Sequence, residues 1–331
     1  MFRLKNRGRS DFDGTTDELR AEIARLAEAN RAKPDRGNAR RLARLRHLAG
    51  MRAIDESQGV GEFPEPDVGA LPAADGLPEF APADLTPGLL RAAILRDGCL
   101  LVRGLLDRDT ALAFADRIDQ GFTEREAGRK GLVEEFVPDD RYGPVVGRGW
   151  IQDGGGLLAA DSPQLQDEML DLFGRMGLES LVEGYLGEPA LISVHKTTLR
   201  KAAPSVPGAW HQDGTFLGPV RTLNLWLSLS RCGDLAPGLD LLPRRLDHLV
   251  AAGTDDATIE IQTSQAKVEE AAGDTPIIRP IFEPGDALLF DELFLHQTAS
   301  DPSMPNPRYA VENWFFASSS FPADYAPVAP W

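Results

Sequence analysis

A chain of 331 residues with 42% hydrophobic and 26% charged residues has enough apolar material for a sizeable core, in one large domain with extensions or in two. Its formal net charge of -16 repels phosphate backbones and anionic lipid, so neither nucleic acid nor a membrane surface is expected as a partner. Two cysteines, Cys99 and Cys232, cannot build a disulfide framework, and no apolar run follows the basic stretch Met1 to Arg9 or is long enough elsewhere to cross a bilayer, so the expected location is cytoplasmic.

In chain order, residues 1–58 form a basic helical extension. Thr16 or Asp17 is expected to cap a helix through Leu19, Ile23, Leu26 and Ala27. A second helix runs from Asn38 to about Met51, with Leu42, Leu45 and Leu48 inward. Arg40, Arg41, Arg44 and Arg46 point outward and read as a solvated face rather than as a docking arm for an acidic surface. Residues 59–85, dense in Pro and Gly, read as a linker or irregular wrap. The main domain spans 86–331. Thr86 caps a helix from Pro87 to Leu95, and Asp97-Gly98 turns into a strand over Cys99 to Arg103. A helix follows over Asp107 to Asp119, then a glycine-rich irregular segment, 121–160, suited to covering a site. Ser162 caps the next helix, and a short one covers Leu178 to Leu186. Strands then dominate: Leu191 to Leu199, Leu223 to Leu229, Pro276 to Phe282 and Ala287 to Phe290 around a Pro284-Gly285-Asp286 turn, and Arg308 to Phe316. Helices first and antiparallel strands after imply an α+β fold with a sandwich or barrel core.

The chemistry concentrates in Trp210-His211-Gln212-Asp213-Gly214 and in His296. Residues two apart on a strand share a face, so His211 and Asp213 are expected to point into a barrel from one strand end, with His296 supplied by another strand. Two imidazoles and one carboxylate are the ligand set of a facial triad, which holds iron(II) on one side and leaves the other open. Arg308, opening the next strand, is placed to hold the carboxylate of an organic co-substrate. His-x-Asp alone is a weak signal. Its weight comes from the Trp before it, the Gly after it, the distal His behind the turn and apolar strand, and the following Arg.

These motifs, with Leu95 to Leu106, resemble the phytanoyl-CoA dioxygenase family of iron(II)/2-oxoglutarate oxygenases over about residues 86 to 320. The resemblance implies a double-stranded β-helix (jelly-roll) core with flanking helices, and iron, 2-oxoglutarate and dioxygen as the reacting partners of a small-molecule substrate. It implies that His211, Asp213 and His296 bind the metal. It also implies that Arg308 and Thr298 hold the distal carboxylate of 2-oxoglutarate and that Gln212 and Trp226 line the site. The expected reaction is hydroxylation with release of succinate and carbon dioxide, since Asp213 fills the position that related halogenases leave free for chloride. The chain departs from the family at Pro237 to His248: members usually show Pro-Gly-Ser-His, and here Pro243-Arg244-Arg245 precedes a later His248. The substrate therefore does not carry over.

Rival readings are a non-catalytic jelly-roll binding module and a cupin-like hydrolase or isomerase that needs no 2-oxoglutarate. His195 reads as a core or site-lining histidine, His248 as a surface residue. Lys196, Arg200, Lys201, Arg244 and Arg245 are open to anion binding, and Trp150 and Gln152 to a lid. Oligomeric state and prime substrate are not encoded in any readable motif.

Overall fold

The computed structural model describes residues 12–73, 76–129, 131–206 and 208–331. The basic run at residues 1–9 lies outside them. Its helices are α1 (Thr16–Ala32), α2 (Arg36–Asp55), α3 (Pro87–Asp97), α4 (Arg108–Glu126), α5 (Arg148–Asp153), α6 (Pro163–Arg175), α7 (Leu178–Leu186), the single turn α8 (Gly214–Leu217) and α9 (Gln265–Ala272). Its strands are β1 (Glu79–Phe80), β2 (Cys99–Val102), β3 (Gly156–Leu158), β4 (Ala190–Ser193), β5 (Thr198–Ala202), β6 (Thr222–Ser228), β7 (Gly238–Leu241), β8 (Ala287–Phe290), β9 (His296–Ala299), β10 (Arg308–Ala317) and β11 (Pro327–Val328).

The strands make a jelly-roll core. The larger sheet runs β1-β2-β8-β6-β10-β4-β11, with β5 beside β10 and β3 beside β5, all antiparallel except β1 on β2. The smaller sheet is β7 on β9, widened by single bridges from His211 to His296 and from Leu241 to Ile278. Strict alternation gives the large sheet two apolar faces. Leu223, Leu225, Leu227, Val311 and Phe315 meet Leu165, Phe173 and Leu181 of the helices. Trp226, Leu288, Phe290 and Ala310 face the other way, toward Leu239, Leu241, Phe282 and Phe294. Burying each large side chain contributes roughly 1.5–3 kcal/mol. The fold is α+β with helices flanking the sheets.

Several local expectations change. The first cap is Thr15, because only Thr15 has a glutamate, Glu18, three residues on to complete a capping box. Arg46 is buried, not outward, and donates to the Pro330 carbonyl at 2.7 Å, whereas Arg40, Arg41 and Arg44 are exposed as expected, Arg40 pairing with Glu134 and Arg41 with Glu22. These helices dock on the acidic body of their own chain, with α2 packed on α6 and β11. Gly50 permits that approach, since a Cβ there would lie 3.0 Å from the Pro327 backbone. Ser162 precedes α6 but makes no side-chain cap bond. The expected strand 191–199 is broken at 194–197, where the Lys196 and Thr197 N–H groups both turn back to the Ser193 carbonyl. The segment Pro276 to Phe282 touches the sheet only through bridges at Ile278 and Phe282. Both cysteines are buried and unpaired. Among the described residues no helix is long and apolar enough to cross a membrane.

Candidate metal centre

His211 and His296 face each other across an antiparallel bridge, each N–H donating to the other's carbonyl at 3.0 and 3.1 Å. This pairing puts both side chains on one side of the small sheet, ring centroids 4.5 Å apart. Asp213 does not arrive by strand alternation, as the spacing suggests. Its backbone is already helical (φ -61, ψ -31) and starts α8, so a sharp turn brings the carboxylate round. The turn is held by Gly214, whose N–H donates to the Glu292 carbonyl at 2.8 Å. Gln212 points away from the ligands. Its amide donates to the carbonyls of His248 (3.0 Å) and Leu293 (2.6 Å), and its oxygen accepts the Val250 N–H (2.7 Å). Both amide hydrogens are spent on welding the loop.

The remaining polar atoms form a candidate cation site. Each imidazole uses Nδ1 to donate to a backbone carbonyl, His211 to Ala209 (2.8 Å) and His296 to Phe294 (3.0 Å). A carbonyl only accepts, so Nδ1 carries the proton and Nε2 keeps its lone pair. Burial, then the neighbouring His211, pushes the His296 pKa down to about 4, which keeps that ring neutral. Asp213 Oδ2 accepts from Asn224 Nδ2 (2.5 Å) and Trp314 Nε1 (2.8 Å). Oδ1 is buried, 3.5 Å from His211 Nε2, and makes no hydrogen bond among the described residues. One ligand atom from each of the three residues falls within 4.8 Å of the others. An unsatisfied carboxylate oxygen and two free imidazole lone pairs fit a divalent ion of intermediate softness such as iron(II).

A second polar cluster lies further along the same wall. Arg308 is buried at the start of β10. Nη1 donates to the Gly238 carbonyl (3.1 Å), Nη2 to Glu312 Oε1 (3.3 Å), and Nε has no partner among the described residues. Its guanidinium stands 5.3 Å from the Trp226 ring, whose Nε1 is also unsatisfied. Two buried N–H donors without acceptors match an incoming carboxylate. Thr298 follows His296 by two on β9 and so shares its face.

The sequence matches the phytanoyl-CoA dioxygenase family over residues 94–304. The chain belongs to that family. This dioxygenase uses iron(II) and 2-oxoglutarate, and the donor sets above fit both. The structure is similar to that of EctD from S. alaskensis with 2-oxoglutarate and 5-hydroxyectoine, at 18% identity and TM-score 0.51, covering 80% of this chain and 86% of that one. It is also similar to the same protein with bound Fe, at 18% identity and TM-score 0.50, covering 70% and 78%. At this identity the likeness shows a common fold. No curated protein matches the sequence.

Other singled-out residues lie elsewhere. His195 is buried, stacks on Tyr325 (5.1 Å) and accepts the Ala326 N–H through Nδ1. His248 is exposed. Arg244 caps α9 through the carbonyls of Ala271 and Ala272, Arg245 pairs with Asp291, and Lys201 pairs with Asp119. Trp150 is 60% exposed on α5. Lys196, in the strand break, sets its ammonium 4.2 Å from the Phe216 ring. No local motif marks Asn224, Trp314 and Glu312 as site residues. Strand parity was their signal: Glu312 and Trp314 are four and six residues past Arg308, and Asn224 is two before Trp226.

Proposed function

We propose that the enzyme hydroxylates a small organic molecule, with His211, Asp213 and His296 as iron ligands and Arg308, Trp226 and Thr298 as the seat of the distal carboxylate of 2-oxoglutarate. When bound, iron with 2-oxoglutarate and dioxygen supplies the oxidising power, and 2-oxoglutarate leaves as succinate and carbon dioxide. The observation that carries the assignment is the unsatisfied Asp213 Oδ1 beside two imidazoles whose Nε2 lone pairs are free.

Each residue has a distinct task. Asn224 and Trp314 clamp one carboxylate oxygen so that the other is presented. The carbonyls of Ala209 and Phe294 fix the imidazole tautomers. Arg308 fixes the far end of the co-substrate, a role suited to a planar guanidinium. The substrate approaches through a cleft of about 390 Å³ lined by Phe216, Leu217, Val220, Phe321 and Tyr325. Phe216 links cleft and metal centre, its ring centroid 6.2 Å from that of His211. Lys196 lies against both Phe216 and Tyr325 and puts a positive charge behind that wall. A reducing compartment such as the cytoplasm suits a chemistry that depends on iron(II).

An anaerobic absorption titration tests the assignment. Iron(II) followed by 2-oxoglutarate is expected to produce a visible charge-transfer band in the wild type and none in Asp213→Ala. Metal retained by Asp213→Ala with an unchanged band would defeat the ligand assignment.

A further inference from the structure

We propose that Glu312 sets the affinity for 2-oxoglutarate by competing with its distal carboxylate for Arg308, and that Arg200 is the second arm that draws Glu312 away. The proposal rests on the reading of Arg308 as the co-substrate anchor and assigns two further residues to that site.

The geometry is asymmetric. Glu312 lies four residues after Arg308 on β10, on the same face. Arg200, on the neighbouring β5, grips the Glu312 carboxylate with Nε at 3.1 Å from each oxygen and Nη2 at 2.6 Å from Oε2. Arg308 reaches only Oε1, at 3.3 Å. Arg200 is itself fixed by donating Nη1 to the Gly154 carbonyl at 2.7 Å. Glu312 is therefore seated on Arg200 and leans on Arg308.

Charge adds a direction. Two guanidiniums share one carboxylate, which leaves one positive charge uncompensated in a largely buried site, and one more anion completes the set. Glu312 keeps 15% side-chain exposure although β10 has a strand on either side, while Arg308 on the same face is 1% exposed. A carboxylate arriving at the free Nε of Arg308 meets Glu312 Oε1 on the adjacent Nη2. Like charges repel, so the newcomer binds best when Arg200 holds Glu312 back.

Opposite effects are expected from two neighbouring substitutions. Glu312→Gln removes the competing charge at nearly constant shape. Arg200→Gln releases Glu312 to pair with Arg308 alone. Calorimetric titration of 2-oxoglutarate into anaerobic, iron(II)-loaded protein is expected to show tighter binding in Glu312→Gln and binding weakened by about tenfold in Arg200→Gln, the scale of one charged hydrogen bond. A merely structural role for the pair would shift both variants the same way, and that result, or weaker binding in Glu312→Gln, would overturn the proposal. If Arg200→Gln does not fold, Arg200→Lys keeps the charge but loses the fork. Weaker binding is still expected there, and unchanged binding overturns the proposal. Arg308→Gln separates the two levels: binding unchanged in that variant means the anchor itself was misassigned, whatever Glu312 does.

Discussion

One face of β10 carries two polar centres that solve opposite problems. At its far end Trp314, with Asn224 from β6, holds the carboxylate of Asp213 using only neutral N–H donors. Among the described residues no lysine or arginine donates to this carboxylate, though Lys196 acts on its charge through space, and Oδ1 stays unpaired. At its near end the cation Arg308 is held by a carbonyl and, weakly, by a carboxylate that a second cation already owns. There most of the positive charge is kept for an anion. Neutral partners position a charge without consuming it, whereas charged partners position it and also tune it.

Changes that break one end and spare the other test this contrast. The largest effect is expected from Asp213→Ala or His296→Ala, which should abolish iron retention and succinate release, measured by metal content after desalting and by product assay. Next, Arg308→Gln should raise the 2-oxoglutarate Kd by about 10–100-fold, the value of losing charged hydrogen bonds, while iron content stays normal. Trp314→Phe keeps the ring and removes the N–H, so a loss of about tenfold in iron affinity is expected with the arginine end untouched, as for other partners of metal ligands. A fall in 2-oxoglutarate affinity without loss of iron in that variant would contradict the division of labour.

A change of conditions rather than of sequence gives the last test, and it concerns acidity. The folded pKa of His296 lies at about 4, against 6.5 when unperturbed. In the metal-free protein the folded ring takes its proton later than the unfolded one. Its contribution to stability is complete above about 6.5 and is lost as pH falls toward 4, at roughly 1 kcal/mol per pH unit. Glu292, raised to about 7 by burial, pulls the other way, its contribution present below 4.5 and lost as pH rises through 7. The useful measurement is therefore the difference in thermal midpoint between wild type and His296→Gln, which should shrink with acidification.

The two centres were unequally legible in the sequence. His211, Asp213, His296 and Arg308 stand in local patterns whose chemistry names itself. Their positioning partners do not. Trp314 reaches Asp213 across 101 residues and Arg200 reaches Glu312 across 112, and such pairs follow from sheet order rather than from any neighbourhood in the chain. Periodicity found most helices and the central strands of the large sheet, β2, β8, β6 and β10. It failed where side chains override it: the break at 194–197, where Thr197 bonds Asn313, and Asp213, where the strand becomes a helical turn. Arg46 looked outward by composition, and only the far-off carbonyls of Ala329 and Pro330 give a buried guanidinium a reason to face in.

That last contact also constrains how the molecule can be assembled. The helix α2 is stitched to the segment around β11 by Arg46 and by His47, whose Nδ1 donates to the Pro327 carbonyl, 280 positions away, at 2.6 Å. During synthesis α2 can first seat on α6, and its seat is completed only when the segment around β11 arrives. Tyr325, which walls the cleft, belongs to the same late segment. Contacts this distant in sequence favour slow final docking. The proposed metal ligands thus all precede, by 24 residues or more, the segment that completes the cleft.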